Sequence, residues 1–444
     1  MLRNTLQKQA GQIFYAGAAA MAPGNLVQQQ LTSPSGLAWI RERRLVRGRL
    51  FLIAAGKAAR PMVAETISTL GSGAIHQGIA ILPPEETADF GEKICVLNGD
   101  YPLPGANSLR AGQRVIDLAR QTDEHDIVLL LLSNGAESLL EHLPRTITAR
   151  HFSDLQRRLI DTATPRTDIF TVNRHLSLVK NGQLASAIWP AWCVALILSD
   201  KTGDPAGTIG GGLTATNSST PADALTILET TGELANIPQE IAVELRARGT
   251  KQECRWSRTS NCRLGRTQNQ VIGTAREALQ ACWREAKRMG YSPDIASSAV
   301  HGDSRAVGAM IGRLAHRSTA AHPASPRCYL AAGHTSVNTQ QHSKTGPAQE
   351  LALAAAIAMA KAPESCLLSA DLGGVDGETS AGGAYAFSDT WKQAIDSNLD
   401  VFAHLQHNDA HNFFAKLNGL FTPGPTGSTG HDVMILLTGL PALS

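Results

Sequence analysis

Three continuous apolar runs constrain the fold of this chain more than any other feature. They are Arg49–Ala55 (RLFLIAA), Asp126–Leu132 (DIVLLLL) and Trp192–Leu198 (WCVALIL). Runs of this kind are typical of parallel strands that are buried on both faces of a sheet. Between them lie helical patterns such as Ser108–Gln121, in which apolar residues recur at core-facing spacing. The alternation predicts a doubly wound α/β layer.

The length of the chain predicts two domains. A chain of 444 residues is longer than one hydrophobic core usually covers. The polar and basic stretch at 246–270 predicts a linker, which leaves residues 1–245 as an N-terminal Rossmann-like domain with a parallel sheet. Residues 271–444 would form a second α/β domain, in which apolar runs at Cys328–Ala332 and Ser365–Asp371 predict further strands.

Charge and composition exclude several classes of function. The formal net charge is +2 and aromatic residues make up 5%, so neither an electrostatic surface nor a stacking platform for nucleic acid is expected. No apolar stretch approaches the roughly 20 residues of a membrane span, and we expect no signal peptide. The seven cysteines include no Cys-x-x-Cys pair, which is typical of reduced thiols in a reducing compartment. Together these features predict a cytoplasmic protein without membrane or nucleic-acid partners.

A glycine and a lysine, Gly56 and Lys57, follow the first apolar run and open a predicted helix. They lie at the carboxyl end of a strand, where open α/β sheets bind their ligands. The first N–H groups of a helix favour an anion, and Lys57 would add a formal positive charge. The full spacing of a P-loop is absent, and an ordinary surface lysine is the alternative interpretation.

Two further loops follow the second and third apolar runs. Ser133–Gly135 ends the second run, and Gly210–Gly212 belongs to a glycine-rich stretch after the third. Glycines let a backbone approach phosphate groups closely, so both loops are candidates for binding phosphate. Glu137 would repel a nucleotide if its carboxylate faced the ligand. An ordinary polar turn after a buried strand is the alternative.

Two acids, Asp200 and Asp204, follow the third run. Mg²⁺ prefers one or two carboxylates together with phosphates and water, so the pair predicts a magnesium site. A helix cap or a turn residue is the alternative interpretation for either aspartate.

Histidines cluster near the C-terminus, within a predicted helix at Asp400–Leu417. His404, His407 and His411 fall on one face of that helix. Such a face is typical either of a metal site or of a solvated or cleft-facing surface, and the second interpretation is favoured.

Four segments resemble one known family. They are AAGKAARPM near Phe51, LILSDKTGDPAGTIGGG near Leu196, the strand–loop–helix unit at Cys328–Ala362, and GPTGSTGHDVMILL at Gly424–Leu437. These segments resemble the glycerate kinase family whose C-terminal domain is named MOFRL. The resemblance extends over nearly the whole chain and implies two α/β domains with a cleft between them. It also implies that the protein transfers the γ-phosphoryl group of ATP, with Mg²⁺, to a hydroxyl of glycerate or a related hydroxy acid; a homodimer is compatible with it.

The resemblance also implies roles for particular residues. Lys57 and Asp200 would be catalytic, with Lys57 stabilising the transferring phosphoryl group, and Asp200 and Asp204 would hold the metal. The positions implied to bind nucleotide or substrate are Gly56, Ser133, Asn134, Gly135, Asp204, Gly210, Gly211, Gly212, Gly333, Thr335, Gln349, Glu350, Asp376 and Thr426.

The chain departs from the family pattern at several of these loops. Pro347 stands where the family has an arginine, and a proline cannot supply the bidentate hydrogen bonds of a guanidinium group. Lys344 and Arg327 are the two cations that could take the place of this arginine. The other departures are His334, Asn173, Gly373 and Glu137. Two alternatives therefore stay open: a diverged homologue with another acceptor or a non-kinase reaction, and a non-catalytic ligand-binding protein.

Overall fold

The computed structural model of the protein describes residues 2–40, 48–162, 164–199, 206–216, 218–255, 264–321, 326–337, 344–428 and 431–441. These residues form two compact units. The first unit contains residues 24–199 and 206–272, and the second contains residues 2–23 and 273–441. Within the described residues, no helix is both long enough and apolar enough to cross a membrane.

The first unit is built on a parallel six-stranded sheet. The strands are β1 (Leu50–Ala55), β2 (Gln77–Leu82), β3 (Ile94–Asn98), β4 (Ile127–Leu132), β5 (Trp192–Leu198) and β6 (Thr267–Ile272). Their order in the sheet is β3-β2-β1-β4-β5-β6, which is the order of the doubly wound Rossmann fold. The predicted Rossmann-like parallel sheet is thus confirmed.

The central strands have two buried faces, which explains their continuous apolar sequence. Every residue of β1 and β4 is buried. Phe51 and Ile53 pack into one hydrophobic cluster, whereas Leu50 and Leu52 pack into another. Because successive side chains of a strand point to opposite faces, one run of apolar residues supplies both helical layers with a core.

Helices of the first unit cover both faces of this sheet. They are Pro23–Thr32, Ala59–Leu70, Ala106–Ala119, Ala136–Leu139, Ala149–Asp161, Arg166–Leu176, Gln183–Ile188, Pro221–Thr230 and Gln239–Arg255. Short 3₁₀ turns occur at Ser72–Ala74 and Ile209–Gly211.

The boundary between the units differs from the predicted linker at 246–270. Part of that stretch is the end of helix Gln239–Arg255, and part is strand β6, which pairs with β5 in the first sheet. Strand β6 lies at the edge of the sheet and buries only Ile272, so it lacks the apolar run that marks the central strands. Its first four residues (TQNQ) continue the polar composition on which the linker prediction rested.

The second unit is built on a mixed six-stranded sheet. The strands are β7 (Ser292–Asp303), β8 (Arg327–Ser336), β9 (Ser365–Asp371), β10 (Gly383–Phe387), β11 (Leu420–Phe421) and β12 (Asp432–Thr438). Their order in the sheet is β11-β10-β9-β12-β8-β7. Strand β12 pairs antiparallel with both β8 and β9, while β7 and β8 are parallel. The helices are Leu2–Ala20, Ala275–Arg288, Ser304–Ala321, Pro347–Ala358, Thr390–Asp396, Val401–Gln406 and Ala410–Lys416.

The first helix of the chain, Leu2–Ala20, packs in the second unit and not in the predicted N-terminal domain. Its apolar face buries Ile13 and Phe14, and the Phe14 ring meets Phe421 edge to face with centroids 4.8 Å apart. A Cβ atom on Gly17 would lie 2.6 Å from Cys282 Sγ, so the helix approaches helix Ala275–Arg288 closely. The amphipathic pattern predicts a buried face but does not specify which sheet covers it.

Candidate functional site

Loops at the carboxyl ends of β1 and β4 are joined by direct hydrogen bonds. The Lys57 N–H donates to the Asn134 carbonyl at 2.8 Å, and the Ala58 N–H donates to Ser133 Oγ at 2.9 Å. A Cβ atom on Gly210 would lie 3.3 Å from Ala136 Cβ, so the loop after β5 reaches the same place. The structure therefore brings together three loops that were selected separately from the sequence.

Gly56 is required by the close approach of the first two loops. Its φ of +124° lies in a region that L-residues rarely adopt, and a Cβ atom there would lie 2.2 Å from Ser133 Oγ. The missing side chain allows the start of helix Ala59–Leu70 to lie against the Ser133 loop.

The Lys57 side chain is exposed and lies against an aromatic ring. Its Nζ atom is 4.5 Å from the centroid of the Tyr101 ring, a cation–π contact. Gly135 lies beside the lysine stem, because a Cβ atom built on it would be 3.4 Å from Lys57 Cγ. Since a ring face orients an ammonium without neutralising it, the positive charge of Lys57 can act on an anion.

A buried ion pair supports the glycine loop, and it was not predicted from the sequence. Lys180 Nζ lies 2.5 Å from Glu141 Oε2, and the two side chains are 3% and 0% exposed. A Cβ atom on Gly211 would lie 2.8 Å from Lys180 Cδ, and the Gly182 N–H donates to the Gly212 carbonyl at 2.8 Å. The partners are 39 positions apart, so no local pattern could have identified them.

Asn173 and Glu137, two positions where the chain departs from the family pattern, add no cation to these loops. Asn173 is buried and donates from Nδ2 to Gln156 Oε1 at 3.0 Å, and Glu137 is half-buried in the short helix Ala136–Leu139. Asp200 and Asp204 lie outside the described residues. Within the described ranges, no group of three or more His, Cys, Asp or Glu side chains is arranged to hold a metal ion.

In the second unit, the turn before helix Pro347–Ala358 is capped by an aspartate. Asp376 accepts from the Ala348 N–H at 3.1 Å and from the Gln349 N–H and Nε2 at 2.9 Å. Pro347 occupies the first turn of the helix, where its missing N–H costs nothing. The contacts of Asp376 and Gln349 thus organise this helix terminus, and Pro347 contributes no cation to it.

Glu350 is fully buried within a hydrogen-bonded cluster. It accepts from Arg305 Nε at 2.8 Å, from Thr345 Oγ1 at 3.1 Å and from Asn408 Nδ2 at 3.1 Å. Burial raises the pKa of Glu350, and Arg305 opposes that shift. Glu350 therefore ties three segments together.

Three further selected positions lie around the end of β8 and the loop before β12. Gly333 lets β8 approach β7, since a Cβ atom on it would be 2.0 Å from the Val300 carbonyl oxygen. Ser304 Oγ donates to Thr335 Oγ1 at 2.8 Å, and Thr426 Oγ1 donates to the Leu372 carbonyl at 2.5 Å. His334 is exposed, with its ring centroid 5.0 Å from that of His431.

Arg327 does not replace the missing arginine at this end of the sheet. It begins β8, whereas Thr335 lies near the carboxyl end of the same strand, roughly 26 Å away at about 3.3 Å per residue. Its guanidinium lies 3.9 Å from the Asp294 carboxylate. Lys344 is the other candidate to replace the missing arginine, and its side chain is exposed close to Pro347 in the sequence.

Two buried carboxyl groups of the second unit, Asp376 and Asp432, and the half-buried Asp371 affect one another. Burial raises the pKa of Asp371 to about 7 and that of Asp376 to about 6, and it raises the pKa of Asp432 well above its usual range. The Gly373 N–H donates to Asp371 Oδ1 at 2.8 Å. Gly373, where the resemblance expects an aspartate, thus lies beside Asp371.

The raised pKa of Asp371 predicts a dependence of stability on pH. Between the unfolded value near 4 and the folded value near 7, the native state holds a proton that the unfolded state has lost. The contribution of Asp371 to the free energy of unfolding is therefore complete below about pH 4, and it is lost as the pH rises through about 7. We expect Asp371→Asn to flatten this slope and to stabilise the protein at pH 8 relative to wild type by on the order of 1 kcal/mol.

Urea unfolding of both proteins at pH 5 and pH 8 measures this slope. Asp396→Asn, at an exposed position of the same unit, should keep the wild-type slope. An Asp371→Asn variant that also keeps it would show that the carboxyl group does not titrate in this range.

Two family models match successive parts of the chain, and curated relatives match nearly all of it. Residues 9–246 match the domain of unknown function DUF4147, and residues 327–434 match the MOFRL family. A glycerate kinase of Rattus norvegicus is 30% identical, covering 97% of this chain and 93% of the rat protein. A D-glycerate 2-kinase of Thermotoga maritima is 29% identical, covering 97% and 98%.

A solved structure agrees with these matches. The crystal structure of a glycerate kinase from Thermotoga maritima has a TM-score of 0.86 at 28% identity, covering 98% of this chain and 100% of that one. The chain therefore belongs to the glycerate kinase family, with a DUF4147 domain followed by a MOFRL domain.

Proposed function

We propose that the protein is a kinase that transfers the γ-phosphoryl group of ATP to a hydroxyl of glycerate or a related hydroxy acid. The relatives that cover nearly the whole chain are named glycerate kinases. The observation that carries the proposal is the meeting of the Lys57, Ser133 and Gly210 loops at the carboxyl ends of adjacent strands. In an open parallel sheet this is where nucleotides bind.

The chemistry requires charge stabilisation more than covalent catalysis. The acceptor hydroxyl oxygen forms a bond to the γ-phosphorus while the bond to the bridging oxygen of ADP breaks, and the hydroxyl proton is released. Negative charge develops on the equatorial oxygens. Lys57 offers an ammonium that is oriented by Tyr101 and not neutralised by it, so the lysine can stabilise that charge. Gly135 and Gly210 leave room for phosphate oxygens to approach the backbone.

We propose that Mg²⁺ accompanies ATP in this reaction. Bound magnesium neutralises the charge on the β- and γ-phosphates. Asp200 and Asp204 are the candidate metal ligands, and Asp200 is also the second candidate catalytic residue, which would hold the metal or orient the attacking hydroxyl.

One set of observations favours an altered acceptor as a second candidate. Pro347 and Asn173 stand where the resemblance expects arginines, and the structure uses them as a helix-opening residue and a buried amide. Loss of two guanidinium groups would weaken recognition of a carboxylate held in the family's manner. Under this alternative the reaction is the same and the acceptor differs.

A panel of acceptors separates these possibilities. ADP release would be measured with ATP, Mg²⁺ and, in turn, D-glycerate, L-glycerate, lactate and glycerol. We expect turnover with glycerate that is lost when EDTA replaces Mg²⁺. Turnover only with another hydroxyl compound would favour the altered acceptor. ATP-dependent thermal stabilisation without ADP release from any mixture would contradict the kinase proposal and favour a non-catalytic binding protein.

A further inference from the structure

A cavity of about 280 Å³ opens in the second unit beside the turn that precedes helix Pro347–Ala358. The backbone N–H of His411 donates to the Lys344 carbonyl at 3.2 Å, and the ring atom Nδ1 of His411 lies 2.9 Å from Gln349 Oε1. These two contacts connect the wall of the cavity to that turn. The volume lies just below the range of drug-sized sites, so it suits a small molecule better than a nucleotide. Its lining residues are Lys344, Ala403, His404, His407 and Asp409.

Hydrogen bonds fix which ring nitrogen carries the proton in both histidines. His404 Nδ1 lies 2.9 Å from Asp409 Oδ2, and His407 Nδ1 lies 2.7 Å from the Ala403 carbonyl. Carboxylate and carbonyl oxygens only accept, so Nδ1 is the donor in each ring. When such a ring carries a single proton, its Nε2 atom is an acceptor.

The carboxylate in the wall is already engaged, whereas the lysine has no carboxylate partner in the described part of the chain. Asp409 accepts from His404 through one oxygen and from Asn412 Nδ2 at 2.6 Å through the other. Lys344 is exposed and, among the described residues, forms no ion pair. The cavity therefore combines one cation with two imidazole acceptors, a set that suits a molecule bearing an anion and hydroxyl donors.

We propose that this cavity binds a small hydroxy acid. The carboxylate accepts from Lys344, and hydroxyl groups donate to Nε2 of His404 and His407. A metal ion is not the expected occupant, because no three metal-ligating side chains are suitably arranged in the described part of the chain. The choice of glycerate as the probe rests on the proposed function, whereas the site itself rests on the charge and hydrogen bonding of the residues that line the cavity.

Calorimetric titration without ATP tests the proposal on the full-length protein. Glycerate should bind at least about tenfold more tightly than glycerol, which lacks the carboxylate, and than propionate, which lacks hydroxyls. Lys344→Met should weaken glycerate binding about tenfold, because it removes a charge-assisted hydrogen bond. The matched control Lys392→Met, at an exposed lysine elsewhere in the unit, should leave the Kd unchanged.

A histidine variant tests the hydroxyl contacts separately. His407 is exposed, so His407→Leu should fold, and it should weaken glycerate binding several-fold while leaving propionate binding unchanged. Equal binding of glycerate and glycerol, an unchanged Kd in Lys344→Met, or no glycerate binding at millimolar concentration would overturn the proposal. Failure of the kinase proposal would appear differently, as absence of ADP release with the Lys344-dependent glycerate affinity intact.

Discussion

Lys180→Met should destabilise the protein by about 3–5 kcal/mol, because it leaves the Glu141 carboxylate buried without its counter-ion. Both side chains are almost completely removed from solvent, and they are 2.5 Å apart. Ser177 Oγ and the His142 N–H also donate to Glu141 Oε1, but they cannot balance a full charge. Because Gly211 packs on the Lys180 stem, the glycine loop should loosen as well. The measurement is the free energy of unfolding in urea.

The double variant Lys180→Met/Glu141→Gln separates the charge from the packing. It removes both charges and keeps an amide oxygen for Ser177, so it should recover most of the lost stability. Lys93→Met, at an exposed lysine of the same unit, is the matched control and should change stability by less than about 0.5 kcal/mol. A single variant within about 1 kcal/mol of wild type would show that the ion pair does not support the glycine loop.

Lys57→Ala should lower kcat of the proposed kinase by about 10²–10³-fold, which corresponds to roughly 3–4 kcal/mol of transition-state stabilisation. The loss is large because the ammonium acts on charge that develops only in the transition state. Stability should hardly change, since Lys57 is exposed and its backbone N–H bond to Asn134 remains.

Two controls accompany Lys57→Ala. Lys93→Ala should retain wild-type kcat, because that lysine lies outside the three loops. Tyr101→Leu removes the ring beside Nζ and should reduce kcat by a smaller factor. If Lys57→Ala raised KM while kcat stayed constant, the lysine would bind ground state and transition state equally and would not be catalytic.

The first sheet could be predicted from the sequence because its central strands have no solvent-facing side. Burial on two faces requires an unbroken apolar run, and β1, β4 and β5 each carry one. The loops at their carboxyl ends follow from the same reasoning, which is why Lys57, Ser133 and Gly210 could each be selected as candidates.

Other features depend on contacts that local sequence does not encode. The edge strand β6 begins with four polar residues, so its start could not be told from the polar and basic stretch that precedes it. Helix Leu2–Ala20 shows an apolar face, but only the three-dimensional structure shows that the face packs with Phe421, about 400 positions later. The pairing of Lys180 with Glu141 is likewise a tertiary contact.

The histidine cluster shows how a wrong helix boundary changes a site. The predicted continuous helix Asp400–Leu417 is wrong, because it divides into Val401–Gln406 and Ala410–Lys416, with Asn408 at a φ of +52° between them. His404 and His407 therefore line a cavity, whereas His411 contacts Gln349. An uninterrupted helix would have placed all three on one face.

The most direct test of the proposed kinase activity is ³¹P NMR of wild-type protein incubated with ATP, Mg²⁺ and glycerate, alongside the same mixture containing Lys57→Ala. We expect wild type to convert the γ-phosphorus signal into that of a phosphate monoester with stoichiometric ADP, while the Lys57→Ala sample stays almost unchanged over the same time. A monoester signal that grows equally fast in both samples would contradict the catalytic role of Lys57. Its absence from the wild-type sample, with ATP intact, would contradict the proposal that glycerate is phosphorylated.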